Sequence, residues 1–390
     1  MFDALTSPAP DALHGIMDAF RADRRDGKID LGVGMYRDAA GRCPVMEVVR
    51  SAEAKLYERQ DSKGYLPLAG APSFVEGLLR VALGEDHPAR LEGRVAAIQV
   101  PGGTGALFLG ASLTRRANEG AKALVGAPTW PSHPGVLGAA GLEVATYGYL
   151  AADGRSASRE HALDTARRVE AGDLFLMHGP CHNPTGLDLA PEVRDEVLSV
   201  LDERGGVPML DVAYAGLGEG LEADFNVVRQ AMRRRRALVA LSCSKSFGLY
   251  RERTGLLMVA CADAAERETV QRTLEAIGRA TWSMAPAHGA EVVGTILANA
   301  ELEAAWRAEL DTMRVRVAKV RARLATVSSH PALEGIRNGR GIFTVLPLST
   351  EEVTLLAERH AVYMAPSGRI NVAGFKTGDE ERFASALADL

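Results

Sequence analysis

Apolar residues follow two periodicities along the chain, and the change between them divides the sequence. Residues 11–25 and 45–60 place apolar side chains three and four positions apart, which predicts amphipathic helices. From about residue 95, apolar runs of strand length alternate with helical stretches such as 191–204. The predicted strands are residues 95–100, 123–126, 142–147, 173–178, 207–210, 237–242 and 255–260.

This alternation indicates an α/β fold. Strands that alternate with helices usually form a mostly parallel sheet with helices on both faces, here a sheet of seven strands. Residues 290–330 are long and helical, and they lead out of the sheet region. A smaller α+β unit follows and ends at Leu390.

Composition narrows the class of protein. With 390 residues, of which 47% are hydrophobic, the chain can form a large core. The net charge of −5 lacks the basic excess of a nucleic-acid-binding protein. The four cysteines are scattered without a C-x-x-C pair, so we expect neither a disulfide framework nor a metal site. The N-terminus does not resemble a signal peptide and no run of 18 apolar residues occurs, so a cytoplasmic protein without membrane contact is expected.

Polar residues recur just after the predicted strands, at the edge where open α/β sheets bind ligands. The first group, PGGTGA at 101–106, includes Gly103 and Thr104 and could bind an anion at a helix N-terminus, although a structural turn explains it equally well. The second, GPCHNPTG at 179–186, contains Asn183, whose bond to Pro184 is a candidate for the cis form. An ordinary turn is the alternative here.

Asp211, Tyr214 and Lys245 follow the next two predicted strands. A carboxylate at the end of a buried strand is costly without a cationic partner, although Asp211 could also cap a helix. Together, a glycine-rich anion site, an acid and a lysine meet the needs of pyridoxal phosphate. This cofactor requires a lysine for its Schiff base, an acid near its pyridine nitrogen and an anion site for its phosphate.

Nine motifs then occur in an order that resembles the aspartate and aromatic aminotransferases, which are fold-type I pyridoxal-phosphate enzymes. The resemblance runs from about residue 28 to the C-terminus, and its motifs are LGVGMYRD, GYLPLAG, PGGTGAL, APTWPSH, CHNPTG, DVAYAGL, SCSKSFGLYRERTG, APAHGA and SGRINVAG. It implies a large cofactor-binding domain over residues 44–312 and a small domain from residues 1–43 and 313–390. It also implies a homodimer with shared active sites.

The resemblance implies a role for each matching residue. Lys245 would form the Schiff base, Asp211 would pair with the pyridine nitrogen, and His133 would support that aspartate. Tyr214 and Asn183 would hydrogen-bond the ring's phenolic oxygen, and Trp130 would stack on the ring. The phosphate would be held by Gly103, Thr104, Ser242 and Arg253, with Tyr65 from the partner subunit.

On the substrate side, the resemblance implies that Arg369 binds the α-carboxylate, that Gly34 lines the pocket, and that Arg279 of the partner subunit binds a distal carboxylate. An ordinary surface arginine is the alternative for Arg279. Aspartate-specific relatives carry Thr, Asn and Asn where this chain has Cys43, Gly64 and Met284. Less polar neighbours should let Arg279 swing away and admit an aromatic ring, so we expect aromatic or broad specificity, with 2-oxoglutarate as the acceptor.

Three alternatives stay open. One is an aspartate-specific aminotransferase. Another is a different pyridoxal-phosphate reaction such as decarboxylation or elimination, although a clamped α-carboxylate disfavours decarboxylation. The third is a non-catalytic relative, against which the presence of Lys245 and Asp211 argues. A further departure is Cys243, which replaces a common tyrosine beside the lysine and puts cofactor affinity in question.

Overall fold

The computed structural model describes residues 12–390, together with Phe2 and Thr6. Most of the N-terminal stretch on which the expectation about a signal peptide rests lies outside the described residues, as does residue 11, where the first helix was predicted to begin. Within the described residues, that helix, α1, spans Ala12–Ala22.

A seven-stranded sheet forms the centre of the molecule and confirms the predicted α/β class. Its spatial order is β2-β8-β7-β6-β5-β3-β4. Six strands run in the same direction, and β8 is antiparallel to both of its neighbours. The strands are β2 (Val95–Pro101), β3 (Lys122–Ala127), β4 (Glu143–Gly148), β5 (Leu174–His178), β6 (Val207–Val212), β7 (Ala237–Ser242) and β8 (Thr254–Ala260).

Helices cover both faces of the sheet, because successive side chains of a strand point to opposite faces. In β2, Ala96, Ile98 and Val100 pack into the core under α5, whereas Ala97 belongs to the core on the other face. The remaining helices are α2 (Glu47–Arg59), α3 (Pro72–Leu83), α4 (Pro88–Leu91), α5 (Gly102–Ala117), α6 (His133–Ala139), α7 (Arg159–Arg167), α8 (Pro191–Arg204), α9 (Leu221–Asp224), α10 (Asn226–Met232), α11 (Cys243–Ser246), α12 (Ala264–Thr281), α13 (Ala287–Leu297), α14 (Ala300–Val327), α15 (Thr350–His360) and α16 (Asp379–Ala388).

Two small sheets lie apart from the central sheet, and the first of them joins the beginning of the described chain to its end. In one, β1 (Ile29–Asp30) pairs in parallel with β10 (Val362–Tyr363). In the other, β9 (Phe343–Val345) pairs antiparallel with β11 (Arg369–Asn371). Short 3-10 helices occur at Pro331–Leu333, Ile336–Asn338 and Val372–Gly374.

Two sequence-based expectations need correction. Residues 290–330 form two helices, α13 and α14, because the chain breaks at Asn299, whose side chain accepts hydrogen bonds from the backbone of Glu301 and Leu302 and so caps α14. The strand predicted at 207–210 continues to Val212, so Asp211 lies within the strand and not after it.

The described residues contain no helix that is both long enough and apolar enough to cross a bilayer. The domain boundaries inferred from the sequence stay a prediction.

Candidate active site

The carboxyl ends of four strands, β2, β5, β6 and β7, meet at one edge of the sheet because these strands run in the same direction. The pairing of β5 with β6 places His178 beside Asp211. Strand β7 ends at Ser242, and β2 ends on the far side of β8, where Pro101 faces Thr254. The loops after β2 and β7 therefore converge on the start of β8, directly after Arg253.

A cavity of about 240 Å³ opens at this edge. It gathers most of the residues that the sequence nominated for cofactor binding. The lining residues are Gly103, Thr104, Leu107, Trp130, Asn183, Asp211, Ala213, Tyr214, Ser242, Ser244, Lys245 and Arg253.

Asp211 and His133 form a buried pair at the base of the cavity. The distance from Oδ2 of Asp211 to Nε2 of His133 is 3.1 Å, and Nδ1 of His133 lies 2.7 Å from the Thr129 hydroxyl. An ionised carboxylate only accepts hydrogen bonds, so Nε2 carries the proton and Nδ1 accepts from Thr129. Burial alone would raise the pKa of Asp211, but the hydrogen bond from His133 and the charges nearby outweigh it and hold that pKa below its usual value. Asp211 is therefore ionised and can pair with a cation.

Lys245 lies on α11, a single turn that begins directly after β7. The Ser242 side chain caps this turn by accepting a hydrogen bond from the Ser244 amide at 3.2 Å. Nζ of Lys245 lies 5.0 Å from the centre of the Tyr214 ring. Burial lowers the pKa of Lys245, Arg253 lowers it further, and Asp211 opposes the shift. A larger fraction of this amine is therefore neutral and nucleophilic than in a free lysine.

The other side of the cavity presents hydrogen-bond donors suited to an anion. Helix α5 has 16 residues and begins at Gly102, so its first amides point out of the sheet edge beside Gly103 and Thr104. Nη1 of Arg253 donates to the Ser244 hydroxyl at 3.2 Å. At Gly102, a Cβ atom would lie 2.6 Å from Nη2 of Arg253, so only glycine lets this arginine approach the helix N-terminus.

Asn183 and Tyr214 share one wall of the cavity. The Asn183-Pro184 peptide bond is cis, as the sequence suggested. Nδ2 of Asn183 lies 3.5 Å from the Tyr214 hydroxyl, and Oδ1 of Asn183 is buried without a hydrogen-bond partner among the described residues. Burial raises the pKa of Tyr214, which keeps its hydroxyl protonated and able to donate. Trp130, half-buried in the loop before α6, lies edge-on to His133 with 5.2 Å between ring centres.

Arg369 and Gly34 do not line this cavity, but both contact a residue that adjoins it. The Phe343 ring lies 4.6 Å from the guanidinium of Arg369 and packs edge-on against Tyr214 at 5.9 Å. A Cβ atom on Gly34 would lie 2.5 Å from Cζ of Phe343. Phe343 therefore links the two predicted substrate-binding residues to the cavity wall.

Tyr65 and Arg279 lie apart from the cavity, on the surface of the subunit. Tyr65 is 91% exposed. Arg279 is exposed near the end of α12, and within the described part of the chain its side chain hydrogen-bonds only Ser283, at 3.1 Å. The two lie on one side of the subunit, since the Leu66 amide donates to Sδ of Met284 at 3.1 Å.

Cys243, whose presence put cofactor affinity in question, is fully buried and does not line the cavity.

Three residues that the sequence analysis did not nominate do contribute to the site: His178, Ser244 and Phe343. His178 ends a predicted strand, and a polar side chain at the carboxyl end of a strand could have identified it from the sequence as a candidate site residue. Its ring packs between those of His133 and His182, at 5.1 and 4.0 Å, and burial holds its pKa well below the usual value. Phe343 is an apolar residue in a three-residue strand, a pattern that carries no functional signal.

Comparisons with known proteins agree with this geometry. The family model described as "Aminotransferase class I and II" matches residues 26–387. A tyrosine aminotransferase of Rhizobium meliloti strain 1021 is 41% identical over 393 residues, which cover 100% of each chain. An aspartate aminotransferase of Escherichia coli strain K12 is 38% identical over 382 residues, which cover 96% of each chain.

A solved structure extends the similarity to three dimensions. It is an aromatic-amino-acid aminotransferase from Burkholderia pseudomallei covalently bound to pyridoxal phosphate. It superposes on this chain with a TM-score of 0.96 at 35% sequence identity, covering 100% of this chain and 99% of the other.

Proposed function

Because the chain belongs to the class I and II aminotransferase family, we propose that it transfers an amino group between an amino acid, preferably aromatic, and 2-oxoglutarate with pyridoxal phosphate as cofactor. The observation that carries this proposal is the shared cavity. Lys245, Asp211 and a set of anion donors line one space of about 240 Å³. These are the three groups that the cofactor needs from a protein.

The residues of the cavity fit pyridoxal phosphate in charge and in hydrogen bonding. The ionised Asp211 suits a protonated pyridine nitrogen, and the start of α5 with Ser242 and Arg253 suits a phosphate. Oδ1 of Asn183 is buried beside the Tyr214 hydroxyl and has no hydrogen-bond partner among the described residues, which suits a polar ligand atom between the two side chains.

The side chains then have separable tasks. Pyridoxal phosphate, when bound, would supply an electron sink for the α-carbon of the substrate amino acid. Lys245, whose amine loses its proton more readily than usual, moves a proton to and from that carbon. Asp211 would pair with the protonated pyridine nitrogen, and the hydrogen bond from His133 keeps the Asp211 carboxylate in place. Arg369 binds the α-carboxylate and so fixes which bond of the substrate faces Lys245.

The preference for aromatic substrates rests on Arg279 and its surroundings. The only hydrogen bond of its side chain within the described residues goes to Ser283, so few contacts oppose a change of rotamer. Met284, a thioether, lies where a polar side chain would serve an aspartate-specific enzyme. An arginine held this loosely can bind the distal carboxylate of 2-oxoglutarate and withdraw for an aromatic ring. Strict aspartate specificity is the second candidate, because aspartate aminotransferases also match over almost the full length.

We also propose a homodimer in which Tyr65 and Arg279 complete the site of the partner subunit. Both are exposed and neither lines the cavity of its own subunit. Tyr57 and Leu68 expose apolar surface in the same part of the sequence, which favours a contact there.

The division into domains at residues 44–312 and at 1–43 with 313–390 belongs to this proposal, supported by the pairing of β1 with β10. The cytoplasmic location stays a prediction of the sequence.

The experiment compares Lys245→Ala with Lys319→Ala, an exposed lysine on α14, for uptake of pyridoxal phosphate and for transamination of phenylalanine, tyrosine and aspartate. We expect the wild type and Lys319→Ala to show the near-visible absorbance of the bound cofactor and to transaminate phenylalanine. Lys245→Ala should lose the activity by at least about 10²–10⁴-fold. A wild type that takes up no cofactor contradicts the proposal, and a large preference for aspartate favours the second candidate.

Mixing two inactive variants tests the shared site. Tyr65→Ala and Lys245→Ala impair different parts of the site, so a mixed dimer should contain one intact site and regain part of the activity. Mixtures that stay inactive after subunit exchange contradict the sharing of residues between subunits.

A further inference from the structure

We propose that Phe343 is a positioning residue, which fixes the plane of the Arg369 guanidinium and thereby sets the affinity for the substrate carboxylate. The inference rests on the proposed function, in which Arg369 binds that carboxylate. It adds a residue that does not line the cavity and that acts through Arg369.

The contact between the two side chains is a cation over an aromatic face. Cζ of Arg369 lies 4.6 Å from the centre of the Phe343 ring. Nη2 of Arg369 donates to the Gly32 carbonyl at 2.8 Å, whereas Nε is buried and has no hydrogen-bond partner among the described residues. The guanidinium is therefore held by one edge and one face. Nη1 has no hydrogen-bond partner among the described residues and is not among the buried atoms, so it can donate to a carboxylate oxygen.

The Phe343 ring is itself held from other directions. Its Cζ lies so close to Gly34 that a Cβ atom there would come within 2.5 Å. Tyr214 packs against it edge-on at 5.9 Å. The residue is 3% exposed, so its ring has little freedom to tilt. A fixed ring gives a fixed plane on which the guanidinium rests.

The backbone of Phe343 is fixed as well. Residues 343–345 of β9 pair with 371–369 of β11, so the strand that carries Phe343 is bonded to the strand that carries Arg369. Arg321 on α14 donates from Nη2 to the Phe343 carbonyl at 2.8 Å and to the Gly341 carbonyl at 2.9 Å. Burial lowers the pKa of Arg321 to about 10. The protein thus buries a second arginine that holds the segment leading into Phe343.

This arrangement matters because bidentate binding of a carboxylate depends on the orientation of the guanidinium plane. A site loses affinity when its supporting groups leave it loose by about 1 Å. Removing the aromatic face also removes a favourable cation–π contact, so affinity for carboxylates should fall while affinity for uncharged analogues should not.

The test measures binding to the pyridoxal-phosphate-loaded enzyme by calorimetry, with 3-phenylpropionate and the uncharged 3-phenylpropanamide as probes. Phe343→Leu removes the aromatic face and keeps an apolar side chain, and Phe343→Met serves if the first variant does not fold. The control is Phe383→Leu, a buried phenylalanine on α16 that packs against Phe375 away from the site. We expect Phe343→Leu to weaken 3-phenylpropionate about tenfold and to leave the amide within about twofold.

Kinetics provide a second readout. The loss in Phe343→Leu should appear mainly as a higher KM for phenylalanine, with cofactor affinity unchanged. If Phe343→Leu binds the acid and the amide more weakly by the same factor, Phe343 only fills space. If it binds both as tightly as the wild type does, Arg369 does not need Phe343 for its orientation. Both results overturn the inference. If the wild type transaminates and Phe343→Leu gives one of these two overturning results, the proposed function still stands. A wild type without cofactor uptake contradicts the proposed function instead.

Discussion

The carboxylate of Asp211 and the imidazole of His133 lie 3.1 Å apart, in a pair in which His133 is completely buried. The histidine in turn accepts from Thr129 through its other ring nitrogen. This pair decides the charge of the residue that would face the pyridine nitrogen. Without His133, burial would be the dominant influence on the pKa of Asp211 and would raise it.

Replacing His133 by leucine should therefore destabilise the cofactor-free protein in a pH-dependent way. The pKa of Asp211 is lowered in the folded state, so its stabilising effect is present above its ordinary value near 4 and is lost as the pH falls through the folded value. We expect the free energy of unfolding at pH 7 to fall by about 1–3 kcal/mol, because a buried acceptor loses its donor. Urea unfolding of His133→Leu between pH 4 and pH 8 measures this.

The loss should be smallest near pH 4 and should grow toward pH 7. In the variant, burial raises the pKa of Asp211 in the folded state. The resulting loss of stability appears only as the pH rises above the pKa that Asp211 has in the unfolded chain. The control is His161→Leu, whose ring is on the surface and hydrogen-bonds the Gly148 carbonyl. A loss for His133→Leu that does not change with pH would show that the histidine acts by packing alone.

Arg253→Gln should weaken the binding of the phosphate group specifically. The change removes a positive charge beside the Ser244 hydroxyl and the start of α5. We expect the dissociation constant of pyridoxal phosphate to rise by about tenfold or more, as hydrogen bonds to charged groups contribute about 1.5–3 kcal/mol. The dissociation constant of pyridoxal, which lacks the phosphate, should stay unchanged. Arg251→Gln, an exposed neighbour, is the matched control, and equal losses for both ligands would place Arg253 outside the phosphate site.

Arg279→Leu should separate the two classes of substrate. It removes the cation proposed to bind a distal carboxylate, so kcat/KM for aspartate should fall by about 10–100-fold, while kcat/KM for phenylalanine should change by less than about threefold. Arg272→Leu is the control on the same helix, since its carboxylate partner there is Glu268 on the surface. Parallel losses for aspartate and phenylalanine would assign Arg279 a structural role.

Gly34→Ala should impair folding and carboxylate binding together. The added methyl group would lie 2.5 Å from Cζ of Phe343, well inside van der Waals contact. Overpacking of this kind costs about 1–3 kcal/mol in the free energy of unfolding, and here it would also displace the ring under Arg369. Gly135→Ala is the control, because among the described residues no atom beyond the chain neighbours and backbone of its own helix lies within 4 Å of the added Cβ. Thermal unfolding and binding of 3-phenylpropionate by both variants test this. If Gly34→Ala keeps the wild-type stability and affinity, the Phe343 ring can move to make room for the methyl group.

The sequence by itself determined the strands, the class of fold and the residues at the carboxyl ends of the strands. Apolar runs bounded by glycine and polar residues predict strands locally, and parallel strands place their carboxyl ends at one edge whatever the details of packing. For this reason Lys245, Asp211 and Asn183 could be nominated without coordinates, whereas the role of Ser242 came from the family resemblance. Their common cavity follows from the register of β5, β6 and β7.

The tertiary structure alone decided what surrounds these residues. The place of Phe343 under Arg369 depends on a contact between segments far apart in the chain, and so does the 3.1 Å approach of His133 to Asp211, which the family resemblance implied but periodicity did not. The break of the long helix at Asn299 has a local cause, the cap that the Asn299 side chain forms. Phe343 and Arg369 are 26 positions apart and meet only because β9 pairs with β11. Periodicity predicts whether a side chain is buried, because burial depends on the face of one helix or strand. It does not predict which residue lies opposite, because a contact depends on two elements.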